Sequence, residues 1–330
     1  MRILFVAPGP QNETHMPFVR READALRALG HEVELHAFDN RSYASYPAEW
    51  RRLRAAVRRL KPDVVHAQFG KFNALLAAFA GAPLVITFRG TDINHNTKYS
   101  PGRSFLGIAA SQLAAFFADG IVCVSHEIRS KVWASAWRPT IVLPTGVDLA
   151  LFQPMDRAEA RRRLGYGPHE RVVLFNAGRN PAVKDPQLAQ AAVTQATLRV
   201  GKIRFVVLDG SARPQDMPLY MNAGDALLVT SRTEGSPTVV QEAMACNLPV
   251  VSVDVGDVRE RLEGVRGCKV IDSRDPAELG AALVETLKYS RRSDGRAHAA
   301  PLDVGIIAAR LADFYRSVGS ASAGPLPRST

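Results

Sequence analysis

The chain has 330 residues, 46% of them hydrophobic and 22% charged, which is the composition of a folded globular protein and not of a disordered or fibrous one. This length indicates two domains, while three scattered cysteines and the lack of a ~20-residue apolar run predict neither a disulfide framework nor a membrane span. The net charge of +10 would suit an anionic partner, but no helix-turn-helix, zinc finger or aromatic–basic pattern supports nucleic-acid binding.

Short apolar runs alternate with helical patterns through the first half of the chain. Strands are predicted at residues 2–7, 32–37, 64–67, 84–87 and 121–124, and helices at 17–29, 49–60, 73–80 and 106–117. The first run ends in Pro-Gly-Pro, which is typical of a buried strand and not of a signal peptide. Alternation at this spacing predicts a parallel, doubly wound sheet.

The pattern restarts after residue 140. Strands are predicted at 141–143, 172–176, 204–208, 226–230, 249–253 and 269–271, and helices at 157–164, 186–198, 237–245, 258–263 and 276–289. We therefore predict an α/β fold of two Rossmann-like, doubly wound domains, 1–150 and 151–303, that face each other across a cleft. A last helix at 304–318 would cross back to the first domain, and 319–330 would form a flexible tail.

The predicted helix at 49–61 combines apolar positions at helical spacing with a run of cations. The apolar positions include Leu53 and Val57, and the cations are Arg51, Arg52, Arg54, Arg58, Arg59 and Lys61. Two interpretations stay open, a solvated basic face or a dock for anionic lipid headgroups. The protein is accordingly expected in the cytoplasm, either free or peripheral at the inner face of the membrane.

The loop after the strand at 226–230 has the most distinctive composition, and ligands of doubly wound sheets bind in such loops. It reads Ser231-Arg-Thr-Glu234-Gly235-Ser236-Pro237-Thr238-Val239-Val-Gln-Glu242. We predict that Ser236 caps a helix with Pro237 in its first turn, so that the free N–H groups there could bind a diphosphate. Glu234 and Glu242 could accept hydrogen bonds from sugar or ribose hydroxyls. On spacing alone, an ordinary capped helix with surface glutamates is the better explanation.

Two further loops carry cations beside a glycine. Gly178-Arg179 and Lys184 follow the strand at 172–176 and could neutralise a leaving diphosphate, although two surface cations would look the same. Arg89, Gly90 and Asp92 follow the strand at 84–87. Arg89 could contact phosphate or an acceptor, or could simply pair with Asp92.

The histidines and the remaining motifs give little evidence for a particular reaction. His15, in the loop after the first strand, is a candidate acid/base or hydroxyl ligand, although such a residue is more often solvated. His66 and His126 lie at strand ends, where structural hydrogen bonding is the better explanation. The sequence has no Gly-x-Gly-x-x-Gly in that first loop, no nucleophile elbow, no phosphate loop and no Asp-x-Asp, so we predict neither a resident cofactor nor a metal site.

Taken together, these segments resemble the retaining glycosyltransferases of family four, which have the glycosyltransferase-B fold. The resemblance is carried by Gly30-His-Glu-Val33, by Pro144-Thr-Gly-Val-Asp148 with Phe152 and Pro154, by Gly178-Arg179…Lys184, and by Glu234-x(7)-Glu242 followed by Ala-Met-Ala-Cys-Asn-Leu-Pro249 and Gly256. It extends over almost the whole chain, and the combination is specific although each part alone is weak.

The resemblance implies transfer of a hexose or similar sugar from a nucleoside-diphosphate sugar, with retention of configuration, to a sugar, lipid-linked or small-molecule acceptor in glycan, glycolipid or cell-envelope biosynthesis. The donor would bind the second domain. It implies that Arg179 and Lys184 hold the diphosphate, that Glu234 faces the donor sugar and Glu242 the ribose, and that Gly235–Val239 contact sugar hydroxyls and phosphate. No metal is implied. Arg89, in place of the family's usual histidine, would be a catalytic residue together with Glu234, Arg179 and Lys184, and His15 and Asp92 would lie on the acceptor side.

Two departures from the family pattern keep an alternative open. Arg89-Gly90 stands where many members have His-Gly, and the segment before 220–225 is shorter than usual. A degenerate subunit that binds or scaffolds would explain both departures, whereas the retained cations and carboxylates favour an enzyme. A nucleotide-sugar epimerase of similar fold has no support from these motifs.

Overall fold

The computed structural model describes residues 1–9, 16–38, 43–95, 100–178, 181–289 and 291–322. The chain divides into two compact units: the first unit is Met1–Gly146 together with the chain from Val304, and the second unit is Val147–Asp303. Each unit contains one sheet, and every strand pair in both sheets is parallel. The predicted α/β class with two doubly wound sheets is confirmed.

The first unit has a six-stranded sheet in the order β2-β1-β3-β4-β5-β6. Its strands are β1 (Arg2–Pro8), β2 (Glu32–Phe38), β3 (Val64–Ala67), β4 (Leu84–Phe88), β5 (Gly120–Cys123) and β6 (Thr140–Val142). Its helices are α1 (Pro17–Ala28), α2 (Tyr46–Leu60), α3 (Lys71–Ala77), α4 (Pro101–Phe117), α5 (His126–Lys131) and, from the end of the chain, α14 (Val304–Ser322).

The alternation of side chains along β1 divides the first unit into two cores. Ile3 and Phe5 point into a cluster formed with α1 and α14, whereas Leu4 and Val6 point into a cluster formed with α2, α3 and α4. Helix α14 lies so close to β5 that a methyl group added at Gly120 would be 2.7 Å from Val318. Both faces of the sheet are therefore covered, as expected for a parallel sheet.

The second unit has a five-stranded sheet in the order β11-β10-β9-β7-β8. Its strands are β7 (Arg171–Asn176), β8 (Ile203–Leu208), β9 (Ala226–Val229), β10 (Val250–Val253) and β11 (Lys269–Ile271). Its helices are α6 (Arg157–Leu164), α7 (Pro181–Lys184), α8 (Pro186–Val200), α9 (Met217–Ala223), α10 (Thr238–Ala245), α11 (Val258–Leu262), α12 (Pro276–Tyr289) and α13 (Gly295–Ala299).

Strand order places one topological switch point in each sheet. In the second unit the chain runs from β7 to β8 on one side and then passes to β9 on the other side of β7. In the first unit the corresponding point lies between β1 and β3. Loops at the carboxyl ends of the two strands beside such a point diverge and leave a crevice for ligands. A ligand-binding site is therefore expected at the loops after β7 and β9.

Two helices differ from their predicted form. Helix α2 begins at Tyr46 instead of at 49; its apolar residues Leu53 and Val57 are buried in the core, and Arg51, Arg52, Arg58 and Arg59 are exposed. A lipid-docking role of this helix stays a prediction. Helix α14 continues to Ser322, beyond the predicted end at 318, and residues 323–330 lie outside the described part of the chain. Within the described ranges, no helix is both long and apolar enough to cross a membrane.

Short helices were missed because one or two turns give no readable periodicity. Helix α5 is the clearest case: Ser125 caps it, its Oγ accepting a hydrogen bond of 3.2 Å from the backbone N–H of Ile128. His126, which the sequence places at a strand end, is the first residue of this helix.

Candidate functional site

An ion pair joins the two loops at the switch point of the second unit. Lys184, the last residue of α7, donates from Nζ to Oε1 of Glu234 at 2.5 Å, and the side chains are 21% and 15% exposed. The hydroxyl of Ser231 donates to the same oxygen at 2.7 Å. The structure thus brings together a cation and a carboxylate that are 50 positions apart in the chain, and both still reach solvent.

The backbone around this pair is held by residues that the sequence did not single out. Asp185, 8% exposed and with a φ of 55°, caps α8 and receives the guanidinium of Arg274 at 2.9 Å. The same guanidinium donates to the carbonyl oxygens of Thr230 and Ser231 at 2.8 and 2.9 Å. The sequence Asp185-Pro186 could have predicted a helix cap. No local sequence pattern could have predicted the role of Arg274, because its partners lie in distant loops.

Gly256 allows the loop after β10 to approach the segment that carries Glu234. It has a φ of 59°, and a methyl group added there would lie 2.9 Å from the carbonyl oxygen of Gly235 and 3.1 Å from Cβ of Glu234. Both observations require glycine, since the conformation is strained for other residues and the space is filled. The position of Glu234 therefore depends on a third strand end, next to β9.

Gly256→Ala is expected to lower the melting temperature and displace Glu234. The matched control is Gly165→Ala, because Gly165 has a φ of 69° but nothing within 4 Å of the added methyl group. Both variants share a backbone strain of about 1–2 kcal/mol, and overpacking adds about 1–3 kcal/mol at Gly256 only. Thermal unfolding followed by circular dichroism measures the difference. Equal losses in the two variants would show that the close contact has no energetic role.

The start of α10 differs from the prediction. Pro237, not Ser236, is the N-cap residue, and no side chain caps the helix. The Ser236 hydroxyl instead donates to Oδ2 of Asp257 at 2.8 Å, and Arg261 donates to the same oxygen at 2.8 Å. Burial raises the pKa of Asp257, against the opposing effect of Arg261. The predicted cap is wrong because Ser236 is used to hold the loop after β10.

The other predicted residues of the second unit lie in the same region. Gly178 follows β7 with a φ of 52°, and its N–H donates to the Leu208 carbonyl oxygen at 3.1 Å. Thr238 and Val239 form the first turn of α10, and Glu242, 8% exposed, lies in its second turn. Arg179 lies outside the described residues, so its place beside Lys184 stays a prediction.

Arg89, in the first unit, is an interior residue. Its guanidinium pairs with Glu22 at 3.1 Å, with side chains 6% and 8% exposed, and donates to Oγ1 of Thr145 at 2.7 Å and Oε1 of Gln68 at 2.5 Å. It also lies over the ring of Phe18, 4.7 Å from its centre. Simple pairing of the Arg89 side chain with Asp92 is therefore wrong: the carboxylate partner is Glu22.

Asp92 holds the loop together from within. It is fully buried, and it accepts hydrogen bonds from the backbone N–H groups of Gly70 and Gly90 at 2.9 Å and of Arg89 at 3.1 Å. Burial raises its pKa, while these hydrogen bonds act in the opposite direction. An acceptor-contacting role for Asp92 has no support from this placement, because the carboxylate faces the backbone of its own loop. His15 lies outside the described residues.

The network continues from Gln68 to His66 and Tyr315. Nδ1 of His66 lies 2.6 Å from the Tyr315 hydroxyl and 3.2 Å from the Gln68 amide nitrogen, and Nε2 lies 2.7 Å from Oγ1 of Thr87. Burial, with a smaller effect of Arg89, holds the pKa of His66 well below its usual value, so the ring is neutral. Because the amide nitrogen of Gln68 can only donate, Nδ1 of His66 accepts its hydrogen bond and Nε2 carries the ring proton. His66 is a structural residue, as the sequence indicated.

The described residues contain no group of three or more His, Cys, Asp or Glu side chains that could hold a metal ion. The candidate site in the second unit is made of a cation, a carboxylate and a helix start without a side-chain cap, at the ends of β7 and β9. This arrangement can bind an anion and hydroxyl groups together.

Two family models match the two halves of this chain. The model of glycosyltransferase family 4 matches residues 17–151, and the model of glycosyl transferases group 1 matches 158–289, a range that includes Lys184, Glu234 and Glu242. The chain belongs to the family 4 glycosyltransferases. The resemblance inferred from its motifs is thereby confirmed, together with the glycosyltransferase-B fold.

Two similar proteins support the same membership, and a solved structure supports the fold. The glycosyltransferase TuaC of Bacillus subtilis, provisionally assigned to teichuronic acid biosynthesis, is 29% identical over 222 residues, which is 61% of this chain and 55% of TuaC. The D-inositol 3-phosphate glycosyltransferase of Thermobispora bispora is 28% identical over 302 residues, 77% of this chain and 70% of that protein. The structure of Anabaena HepE with UDP-glucose matches this glycosyltransferase with a TM-score of 0.72 at 19% identity, covering 96% and 100% of the two chains.

Proposed function

We propose that this family 4 glycosyltransferase transfers a sugar from a nucleoside-diphosphate sugar to an acceptor hydroxyl, with retention of the anomeric configuration, in polysaccharide or glycolipid biosynthesis. The observation that carries the proposal is the Lys184–Glu234 pair at the switch point of the second unit. The complex of HepE with UDP-glucose supports this class of donor. The acceptor is a sugar, a lipid-linked sugar or a small molecule, and the similarity to TuaC favours a cell-envelope polymer.

The donor diphosphate is held by Lys184 and by the start of α10. Lys184 supplies a full positive charge, and α10 begins without a side-chain cap at Pro237, so the N–H groups of Thr238 and Val239 are available to phosphate oxygens. Arg179 adds a second cation next to Gly178. These groups replace a bridging metal ion, so the reaction needs no divalent cation.

Donor binding changes the partner of Lys184. In the structure its ammonium group is held by Glu234, whereas a diphosphate offers a larger negative charge and draws the ammonium group to itself. Glu234 then accepts hydrogen bonds from the donor sugar, still oriented by the Ser231 hydroxyl. Glu242, in the second turn of α10, accepts hydrogen bonds from the ribose hydroxyls.

The chemical step needs charge stabilisation more than a strong base. The bond between the anomeric carbon and the diphosphate oxygen breaks, and its electron pair goes to the leaving phosphate next to Lys184. The acceptor oxygen bonds the anomeric carbon on the same face, and its proton passes to that phosphate. Glu234 stabilises the positive charge that develops on the sugar ring.

Lys184→Ala is expected to raise the dissociation constant of the donor about tenfold or more, because a charged hydrogen bond to phosphate contributes about 1.5–3 kcal/mol. Lys288→Ala, at an exposed lysine on α12, is the control. Calorimetric titration with a panel of nucleotide sugars, after a thermal-shift and hydrolysis screen of the same panel, measures the change. Unchanged donor affinity would rule out the diphosphate role, and absence of donor binding by the wild-type protein would favour the scaffold alternative.

A further inference from the structure

Helix α4 of the first unit buries small and polar residues and exposes large apolar ones. Its buried face carries small and polar residues, namely Ser104, Gly107, Ala110, Ser111, Gln112, Ala114 and Ala115. Its solvent face carries Leu106, Leu113 and Phe117, which are 52%, 48% and 48% exposed and recur at helical spacing. A surface helix normally buries its large apolar residues. Here they form an outward stripe.

The buried polar groups of α4 are satisfied, so the reversed orientation is a stable one. Ser111 donates from Oγ to the Asp92 carbonyl oxygen at 2.7 Å, and Gln112 donates from Nε2 to the Lys131 carbonyl oxygen at 2.7 Å. Turning the helix to bury its leucines would break these hydrogen bonds inside the fold. The outward stripe is therefore fixed by the interior contacts of the helix.

Aromatic residues from two neighbouring segments enlarge this stripe. The rings of Phe79 and Phe117 lie 5.2 Å apart, and those of Phe116 and Trp137 lie 5.5 Å apart. We call the resulting surface the α4 face, and its residues are Phe79, Leu106, Leu113, Phe116, Phe117, Trp133 and Trp137. Because its members are roughly half exposed and large side chains bury about 150–250 Å² each, its area is on the order of 700 Å². The largest apolar patch of a typical monomer is about 300–600 Å².

The three segments that form the α4 face carry only positive charges. Residues 71–82, 101–118 and 132–143, which form it, contain no Asp or Glu. Arg103 lies in the first turn of α4, and Arg138 follows Trp137 and donates to the Phe116 carbonyl oxygen. The apolar surface is therefore accompanied by positive charge with no carboxylate in the same segments.

We propose that the α4 face docks on the surface of an anionic lipid bilayer. Exposed tryptophan and phenylalanine rings are suited to the boundary between headgroups and acyl chains, and arginines beside them are suited to lipid phosphates. A symmetric contact between two copies would bring Arg103 and Arg138 of both copies into one interface, and the segments that form the face supply no carboxylate to pair with them. The bilayer is the partner that matches both the apolar surface and its charge. This proposal does not depend on the sugar that is transferred.

The test compares binding of the full chain to phosphatidylcholine vesicles and to mixed phosphatidylcholine–phosphatidylglycerol vesicles by co-sedimentation. The variant Leu113→Gln/Phe117→Gln/Trp137→Gln removes three exposed apolar side chains and is expected to lose at least tenfold in affinity for the mixed vesicles. Its matched control is Leu198→Gln/Tyr289→Gln, at residues of the second unit that are 77% and 74% exposed. Arg103→Gln is expected to weaken binding to the mixed vesicles about fivefold, from about 1 kcal/mol per basic residue near an anionic surface.

Tryptophan emission gives a second readout. Trp133 and Trp137 are 65% and 60% exposed, so mixed vesicles should shift their emission to shorter wavelength. Trp133→Phe/Trp137→Phe should abolish the shift, because the third tryptophan, Trp50, has its indole nitrogen buried in the protein. The proposal is overturned if the wild-type protein does not bind mixed vesicles or if it binds neutral vesicles equally well. It is also overturned if the triple variant keeps its affinity, or if that variant merely converts a dimer to a monomer.

Discussion

Glu234→Gln is expected to lower the turnover number for sugar transfer about 10²–10³-fold, as loss of a group that stabilises developing charge does elsewhere. The substitution keeps the size of the side chain and removes the negative charge that we propose faces the donor sugar. Donor affinity should change far less than turnover, because Lys184 stays available to the diphosphate. Initial rates at saturating donor and acceptor, together with calorimetric donor titration, measure both quantities.

The control for this variant is Glu278→Gln, at an exposed glutamate near the start of α12. It should keep wild-type turnover. The melting temperature of Glu234→Gln should stay close to that of the wild type, because both members of the Lys184–Glu234 pair reach solvent. A Glu234→Gln protein that transfers sugar at the wild-type rate would remove Glu234 from the reaction.

Arg89→Met is expected to destabilise the first unit by about 3–5 kcal/mol, because Glu22 would remain as a buried charge without its partner. The change also removes the donors to Thr145 and Gln68. All three tryptophans, Trp50, Trp133 and Trp137, lie in the first unit. Urea unfolding followed by tryptophan emission therefore reports this unit selectively.

Two further variants separate charge from shape at this position. Glu22→Gln/Arg89→Met removes both charges and should recover much of the lost stability. Arg89→Lys keeps the positive charge but not the planar guanidinium group that reaches three partners. Its loss of stability should therefore lie between that of Arg89→Met and that of the double variant. If Arg89→Met unfolds at the wild-type urea concentration but fails to transfer sugar, Arg89 contacts a substrate and its structural role is wrong.

Much of the fold was readable because buried parallel strands are short, apolar and regularly spaced. The runs at 2–7 and 172–176 correspond closely to β1 and β7, and the alternation of Ile3 and Leu4 between two cores follows from strand geometry. Glu234 and Lys184 were readable as a site only through the family motif. Their pairing depends on which strands are neighbours, and the sequence does not state strand order.

What the sequence did not predict depends on tertiary partners. Arg89 looked like a loop cation, but Glu22 on α1 and Thr145, distant in sequence, hold it in the interior. Ser236 looked like a helix cap, but Asp257 from the next loop takes its hydroxyl. No buried or exposed side was predicted for Gln112 and Leu113 of α4, and in the structure Gln112 is buried, with a hydrogen bond to the Lys131 carbonyl oxygen, while Leu113 is exposed. For Arg89 and Ser236, a distant partner outweighs the local preference.

The second unit is inserted within the sequence of the first. The chain leaves the first unit after Gly146 and returns to it at Val304, and Val147 pairs with Asp303, so the ends of the inserted unit lie side by side. During synthesis on the ribosome, the second unit is complete before α14 has been made. Until then one face of the first sheet, which includes Phe5 and Val122, lacks one of the two helices that cover it. The first unit therefore begins to fold first but finishes last, and a chaperone would meet that face in the interval.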